Sequence, residues 1–321
     1  MTGIGRRATR AVVIGESLID VVITESADGD VVREMPGGSP MNTAIGLARQ
    51  GVDVAFITEL GADQRAEVIE HRLVAEGVDV YTAPRAGRTS TAEARIAANG
   101  AADYFFDLSW NLGEVPLPLG TADVVHFGSL GTALEPGAAT VDALVERFAL
   151  EATVTFDPNI RASVDRDPDA GRARVDRHAY LSDIVKASDE DISYLNPEET
   201  IDAVIDRWLA GGTAIVVVTH AEAGLVIATA NHRVRLSGRV TAVADTIGGG
   251  DAVTAGLIAA LGALDLLGAT RREQLRTLDE ATLRRIGAWA HRTAEVTVTR
   301  AGAEPPTSVE MLEWRDGRLL A

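Results

Sequence analysis

Short apolar runs alternate with amphipathic stretches through the second half of the chain. Runs that are brief and almost wholly apolar read as buried strands, at 124–127, 153–156, 184–186 and 215–219. Helical spacing of apolar positions lies between and after them, at 137–150, 172–182, 198–210, 251–261 and 281–294. Repeated alternation of strand and helix predicts an α/β fold whose central sheet is mainly parallel and has helices on both faces.

The first hundred residues are richer in strands. Strands are predicted at 11–15, 18–24, 31–34, 54–58 and 78–81, with helices at 40–50 and 65–76. The segment 89–107 reads as strand, turn and strand, because Asn99-Gly100 is a strong hairpin signal. A late hairpin is predicted from 225–229 and 234–236. The early strands lack helices to cover them, so we expect a small separate sheet from the discontinuous segments 18–36 and 78–108. The whole chain, 1–321, is expected to be one α/β domain.

Composition narrows the class of partner. The 321 residues are 46% hydrophobic and carry a formal net charge of −17, which argues against nucleic acid or an anionic membrane. The absence of cysteine excludes disulfides and Cys-ligated zinc. No apolar run approaches the roughly 20 residues of a membrane span. The first apolar stretch soon meets Glu16, so no signal peptide is expected and the cytoplasm is the expected location.

A glycine run in the last third carries the clearest chemistry. Residues 245–251 read DTIGGGD, and an apolar helical stretch follows. Gly248, Gly249 and Gly250 let several backbone N–H groups approach one small volume, and the helix adds its positive N-terminal end. Asp251 beside such an anion cradle suits a base that takes a proton from an attacking hydroxyl. A plain helix cap after a flexible turn is the alternative.

Two common nucleotide motifs are missing. Lys186 is the only lysine, and no Gly-x4-Gly-Lys-[Ser/Thr] phosphate loop exists, so an ATP enzyme with this sequence is not of the P-loop class. The stretch 3–8 fits the dinucleotide pattern G-x-G-x-x-A, but only two residues precede it. Without a strand before it, we interpret that match as chance, which leaves a nicotinamide dehydrogenase without support.

The order of several segments resembles the ribokinase-like (pfkB-type) carbohydrate kinases over about residues 12–306. The N-terminal signature of that family is matched by 37–44 (GGSPMNTA), followed by LARQG at 47–51. Its C-terminal signature, Asp-Thr-x-Gly-Ala-Gly-Asp, is matched by 245–251, with Gly249 in place of alanine. The segments 15–20 (GESLID) and 157–161 (DPNIR) are similar to fructokinase-like members.

The resemblance implies a role for individual residues. Asp251 would be the base, and the N–H groups of Gly248, Gly249 and Gly250 would form the anion hole. Sugar-binding residues would be Asp20, Gly37, Gly38, Asn42, Asn159 and Arg161. Nucleotide-binding residues would be Lys186, Ser188, Thr219, Gly224, Gly248 and Gly250. ATP and Mg²⁺, with a possible K⁺, are the cofactors that the resemblance implies.

Two motifs depart from the family pattern. The Asn-x-x-Glu motif, linked to magnesium, aligns with 188–191 (SDED), so that Asp191 would act on the metal indirectly. The nucleotide loop Thr-x-Gly-x-x-Gly aligns with 219–224 (THAEAG), where Ala221 replaces the first glycine. The early strands would form a lid over the sugar that, in this family, often doubles as a homodimer surface.

The implied activity is an ATP-dependent sugar kinase acting on a neutral monosaccharide, most readily fructose. A 2-keto-3-deoxygluconate kinase and a ribokinase are the alternatives. Asp103 and Asp107 on a lid strand disfavour an anionic sugar, although Arg88 or Arg95 would compensate if either reached the pocket. A sugar-sensing regulator on a kinase scaffold would have lost the base or the anion hole, and both are present.

Overall fold

A computed structural model describes residues 8–25, 29–96, 102–118, 120–238 and 242–313. The strands in this part of the chain are β1 (Arg10–Ile14), β2 (Leu18–Thr24), β3 (Val31–Gly37), β4 (Asp53–Thr58), β5 (Asp79–Thr82), β6 (Thr91–Ile96), β7 (Ala102–Asp107), β8 (Val124–Gly128), β9 (Thr153–Asp157), β10 (Ile184–Ser188), β11 (Ile215–Thr219), β12 (Gly224–Ala228) and β13 (Arg233–Ser237). The helices are α1 (Ser39–Arg49), α2 (Gln64–Ala75), α3 (Gly137–Phe148), α4 (Pro168–Leu181), α5 (Asp189–Leu195), α6 (Ile201–Ala210), α7 (Gly249–Ala263), α8 (Arg272–Arg276), α9 (Glu280–Thr297) and α10 (Ser308–Glu313).

The central sheet has nine described strands in the order β13-β12-β11-β10-β9-β8-β1-β4-β5. Parallel pairs join β11, β10, β9, β8, β1, β4 and β5 in that order, while β12 and β13 add antiparallel pairs at one edge. The predicted fold class is therefore confirmed. Because the strands are parallel, the loops after their carboxyl ends meet along one edge, where α/β proteins bind ligands.

Side-chain alternation along the strands divides the core into two layers. On β1, Ala11 and Val13 pack with α1, α2, α7 and α9, whereas Val12 and Ile14 face α3, α4, α5 and α6. Both sets of side chains are buried, which explains why these strands read as unbroken apolar runs. The two helical layers fix where the strand-end loops can open.

The small sheet has the order β3-β2-β6-β7, and confirms the predicted separate sheet. Its strands β2 and β6 pair in parallel, and β3 and β7 pair antiparallel outside them. One predicted part lies elsewhere: β5, within the expected segment 78–108, pairs with β4 at the edge of the large sheet. Helix α2 packs back on that sheet and makes β4-α2-β5 an ordinary crossover unit. The predicted Asn99-Gly100 turn lies outside the described residues.

Candidate active site

Asp251 lies in the first turn of α7, against the start of α1. Its Oδ1 accepts a hydrogen bond from Ser39 Oγ at 2.7 Å, and its Oδ2 accepts one from Asn42 Nδ2 at 2.9 Å. One turn further along each helix, a Cβ on Gly46 would lie only 2.8 Å from Ala255 Cβ. Glycine at 46 thus lets the two helices approach closely enough for both hydrogen bonds to form.

The carboxylate of Asp251 is buried, with 9% of the residue exposed. Burial raises its pKa, while the hydrogen bonds from Ser39 and Asn42 and the charge of Lys186 act to lower it. The group is therefore a stronger base than an exposed aspartate, and both its oxygens are held in a fixed direction. Such a carboxylate is suited to accept a proton from a hydroxyl placed beside it.

The glycine run forms the N-terminus of α7. Gly248 has a left-handed backbone (φ 75°), and a Cβ there would lie 2.6 Å from Ala303 Cβ. The Gly249 N–H donates to Thr246 O at 3.2 Å, so an anion would share this donor. Gly250 follows in the first turn, where helix N–H groups have no partner earlier in the helix. The segment thus has the geometry of an anion cradle.

A buried ion pair lies beside this cradle. Lys186 Nζ donates to Asp157 Oδ2 at 2.9 Å, and a Cβ on Gly250 would lie 2.8 Å from the same ammonium. Burial alone lowers the pKa of Lys186, but the charges of Asp157, Asp191 and Asp251 outweigh it and the pKa is raised. A permanent cation is thereby fixed next to the N-terminus of α7.

A large cavity of about 1030 Å³ opens from the cradle along the strand ends. Its wall includes Lys186, Gly249 and Gly250 at one place, and apolar side chains of Leu225 and Val253. The expected nucleotide residues Ser188, Thr219 and Gly224 also lie on it, as do Asn159, Arg161 and Asp191. Its size and its mixture of apolar wall and convergent polar groups suit a nucleotide.

A second cavity of about 160 Å³ lies at the small sheet. Asp20, Gly37 and Asn42 line it together with Arg72 and Glu304. A Cβ on Gly37 would overlap Asp20 Oδ2, so glycine is required for the carboxylate to lie there. Burial raises the pKa of Asp20 to about 6, with Arg161 opposing and Asp251 adding to the shift. Asn42 borders this cavity and also donates to Asp251, so the carboxylate of Asp251 lies directly behind the cavity wall at Asn42.

The expected sugar residues do not all lie together. Asn159 and Arg161 line the large cavity, and Arg161 Nη1 donates to Asn159 Oδ1 at 2.8 Å. Gly38 (φ 109°) turns the chain into α1, where a Cβ would lie 2.7 Å from Glu16 O. The charge of Arg161 nevertheless acts to lower the raised pKa values of Asp20 and Glu16.

Ser188 and Asp191 form a reciprocal cap on α5. Ser188 Oγ accepts from Asp191 N at 3.0 Å, and Asp191 Oδ2 accepts from Ser188 N at 2.9 Å. Asp191 Oδ1 accepts from Ile160 N at 2.8 Å. Both oxygens of Asp191 are thus occupied by backbone donors. The helix α5 was missed by apolar spacing, although Ser-x-x-Asp is a capping signal that could have revealed it.

The described residues contain no cluster of three or more His, Cys, Asp or Glu side chains that could hold a metal. Asp157 Oδ1 is buried without a hydrogen-bond partner, and it lies on the carboxylate next to Lys186. A single carboxylate such as that of Asp157 fits a Mg²⁺ ion whose ligands are mainly phosphate oxygens and water, which is how magnesium usually accompanies nucleotides.

The loop 219–224 keeps a glycine-like backbone despite its altered sequence. Ala221, at the position of the missing glycine, has φ 42°, and Gly224 has φ 102°. A left-handed alanine is strained by roughly 1 kcal/mol or more. The fold imposes the loop shape, because Gly224 starts β12 and packs against the backbone of β13.

Comparison with known proteins shows the family to which the chain belongs. Residues 8–310 match the pfkB family carbohydrate kinases. The chain belongs to this family. It is therefore an enzyme that phosphorylates a sugar. It is 34% identical over 280 residues to the fructokinase of Rhizobium leguminosarum bv. trifolii, covering 84% of each chain. It is 31% identical over 261 residues to that of Klebsiella pneumoniae, covering 78% of this chain and 84% of the relative.

Solved structures support the fold of this family member. The fructokinase of Xylella fastidiosa superposes with a TM-score of 0.80 at 22% identity, over 96% of this chain and 99% of that one. A double mutant of Vibrio cholerae fructokinase, in its fructose, ADP and potassium ion bound form, has a TM-score of 0.78 at 24% identity. These matches cover 95% of this chain and 98% of the Vibrio chain.

Sequence reasoning assigned no role to Ser39 or to Asp157, and it pointed to Glu16 only as part of the segment 15–20. Ser39 lies within the N-terminal signature, but only the structure shows its hydroxyl on Asp251. Asp157 was noted as part of a motif and given no role. Glu16 is buried and accepts from Gly131 N at 2.9 Å. Burial raises its pKa to about 7. Its position directly after β1 was the one available signal.

Proposed function

We propose that the chain transfers the γ-phosphoryl group of ATP to a hydroxyl of a neutral ketose, with fructose as the preferred substrate. One observation carries this proposal: Asp251 is held by Ser39 and by Asn42, which lines the smaller, sugar-sized cavity, and it directly follows Gly250, which lines the larger, nucleotide-sized one. Fructokinases at 34% and 31% identity support fructose as the acceptor.

The mechanism follows from the contacts. Asp251 takes the proton from the sugar hydroxyl as its oxygen attacks the γ-phosphorus, and the bond to the β-phosphate oxygen breaks to release ADP. Ser39 and Asn42 orient the base. The N–H groups of Gly248, Gly249 and Gly250 and the ammonium of Lys186 stabilise the negative charge on the transferred group and on the departing ADP. Mg²⁺, when bound, neutralises phosphate charge.

The sugar cavity is acidic. Asp20 and Glu304 line it, and the cation Arg72 is already paired with Glu304 at 2.6 Å and with Glu76 at 3.4 Å. Arg95 pairs with Asp30 at 3.5 Å and with Glu93 at 3.4 Å. An anionic sugar would have to break such pairs, whereas hydroxyls can donate to the carboxylates directly. Asp20, Gly37, Gly38 and Asn42 are therefore proposed as sugar-binding residues.

Arg161 and Asn159 are proposed to contact substrate from the wall of the large cavity. Lys186, Ser188, Thr219 and Gly224 are proposed to bind the nucleotide, and Asp191 to act on the metal only through the backbone it holds. K⁺ as an activator, a homodimer through the small sheet as lid, and a cytoplasmic location belong to the same proposal. None of the helices in the described part of the chain is long and apolar enough to span a membrane.

A coupled assay of ADP release over a panel of sugars tests the substrate. With saturating Mg-ATP, kcat/KM for fructose should exceed that for 2-keto-3-deoxygluconate and fructose 6-phosphate by at least about tenfold, or roughly 1.4 kcal/mol. A preference for either anion would show that Arg72 leaves its carboxylate partners to bind substrate. Faster turnover of ribose would instead favour a ribokinase.

A further inference from the structure

Glu295 is a buried carboxylate on the wall of the large cavity that the proposed mechanism does not use. It lies near the C-terminal end of α9, and 6% of the residue is exposed. Its Oε2 lies 3.5 Å from Arg292 Nη1, and its Oε1 lies 3.7 Å from His291 Nδ1. Both partners lie on α9 itself, and Glu295 also forms part of the cavity wall.

The position of Glu295 along α9 gives its distance from the phosphate cradle. Val298 immediately follows α9, and its Cγ1 would lie 3.2 Å from a Cβ on Gly249. Ala294, Glu295 and His291 line the same cavity. With a rise of about 1.5 Å per residue, Glu295 lies about 4.5 Å and His291 about 10 Å beyond Val298 along the axis. Glu295 is therefore about one turn away from the cradle.

If the phosphates of a nucleotide lie in the cradle, the part of the nucleotide that lies one helical turn away from them is the ribose. A carboxylate accepts hydrogen bonds and donates none, so it is repelled by phosphate oxygens and attracted by hydroxyl groups. An acidic side chain on a ribose hydroxyl is an established way for proteins to recognise nucleotides. The neighbouring wall at Leu225, Val243 and Ala294 is apolar, which strengthens such a bond.

We propose that Glu295 accepts a hydrogen bond from a ribose hydroxyl of the phosphate donor, and so selects ribonucleoside triphosphates over deoxyribonucleoside triphosphates. The inference rests on the proposed binding of ATP in the large cavity. It assigns to this carboxylate a specificity role rather than a role in phosphoryl transfer.

Kinetics with ATP, 2′-deoxy-ATP and 3′-deoxy-ATP test the proposal. The wild-type enzyme should prefer ATP to at least one deoxy analogue by at least about tenfold in kcat/KM, because that analogue lacks the hydroxyl that donates to the carboxylate. In Glu295→Ala that ratio should fall below about threefold. Glu295→Gln, which keeps an uncharged acceptor, should give an intermediate ratio.

Arg292→Ala is the matched control, because Arg292 pairs with Glu295 but does not line the cavity. It should keep the wild-type preference for ATP. Equal use of the three donors by the wild type, or an unchanged ratio in Glu295→Ala, would overturn the proposal. So would a change confined to the ATP to GTP ratio, which would assign Glu295 to the base.

Calorimetric binding of ADP and its 2′- and 3′-deoxy forms separates this proposal from the proposed function. A preference for ADP that Glu295→Ala abolishes supports the ribose contact, even if the sugar acceptor is not fructose. Absence of nucleotide binding would contradict both the proposed function and this inference. Binding with equal affinity for ADP and both deoxy analogues would contradict the inference alone.

Discussion

Lys186 Nζ lies 2.9 Å from Asp157 Oδ2, and both residues are buried beside the N-terminus of α7. Each charge makes burial of the other tolerable, so neither can be removed alone without leaving an uncompensated charge. The pair therefore has a structural effect and a catalytic effect that mutation can separate.

Lys186→Met should lower the free energy of unfolding by about 3–5 kcal/mol, because it leaves the Asp157 carboxylate buried without its cationic partner. The double variant Lys186→Met/Asp157→Asn should regain most of that stability and remain slow in phosphoryl transfer. Urea unfolding and ADP release measure the two quantities. Recovery of turnover in the double variant would show that the ammonium serves the fold alone.

Asp251→Asn should reduce kcat by about 100-fold or more, because an amide cannot accept the hydroxyl proton. Ser39 and Asn42 still hold an isosteric side chain, so fructose binding measured by calorimetry should change little. Asp20→Ala is the contrasting variant, and should raise the KM for the sugar far more than that for ATP. Near wild-type turnover of Asp251→Asn would refute the assigned base.

Gly250→Ala should impair turnover and weaken ATP binding, because the new Cβ would lie 2.8 Å from Lys186 Nζ, at the cradle. Gly249→Ala is the comparison variant, since the Cβ of an alanine at 249 would meet only a Val298 methyl at 3.2 Å. We expect a smaller loss of kcat/KM for ATP there, with both melting curves close to that of the wild type. The reverse order would place the phosphates away from Lys186.

Glu16→Gln should stabilise the protein at alkaline pH. The pKa of Glu16 is raised by burial from 4.5 to about 7, so the folded state holds a proton that the unfolded state releases between those values. The free energy of unfolding therefore falls by about 3 kcal/mol as the pH rises from 4.5 to 7, at about 1.4 kcal/mol per pH unit. The variant should match the wild type near pH 4.5 and exceed it at pH 8 in urea unfolding. An equal difference at both pH values would contradict this linkage.

Ala221→Gly should raise the melting temperature, because glycine adopts the φ of 42° without the strain of a Cβ. The expected gain is about 1 kcal/mol at most, since glycine also increases the entropy of the unfolded chain. Thermal unfolding, with Ala228→Gly in β12 as a destabilised control, measures it. A lower melting temperature would mean that the alanine methyl contributes packing that outweighs the strain.

Sequence periodicity predicted the central sheet well because its strands are buried on both faces and its helices are amphipathic. It misplaced β5, since one exposed and three half-buried residues carry no sign of which sheet they join. It also missed α5, which has only seven residues and begins with three acids. In such short elements, the tertiary partner and the cap decide the structure.

The positions of the glycine run and of the residues proposed to bind the sugar could be located from the sequence, because motif order along the chain reflects strand-end loops that meet at one edge. The contacts between motifs could not. Ser39 and Asp251 are 212 residues apart in sequence, and only the close packing at Gly46 and Ala255 brings them together. Likewise, no sequence pattern separates Asn159 and Arg161 from Asp20 into different cavities.

The position of Asp251 in the chain also sets how late the proposed base is made during synthesis. The base lies after β13 in the chain, and its partners lie before β4. A nascent polypeptide that has left the ribosome only as far as β13 already contains the residues proposed to hold the sugar, but it lacks the group that would activate a hydroxyl. A chain long enough to include the proposed base therefore already includes every strand that the structure describes.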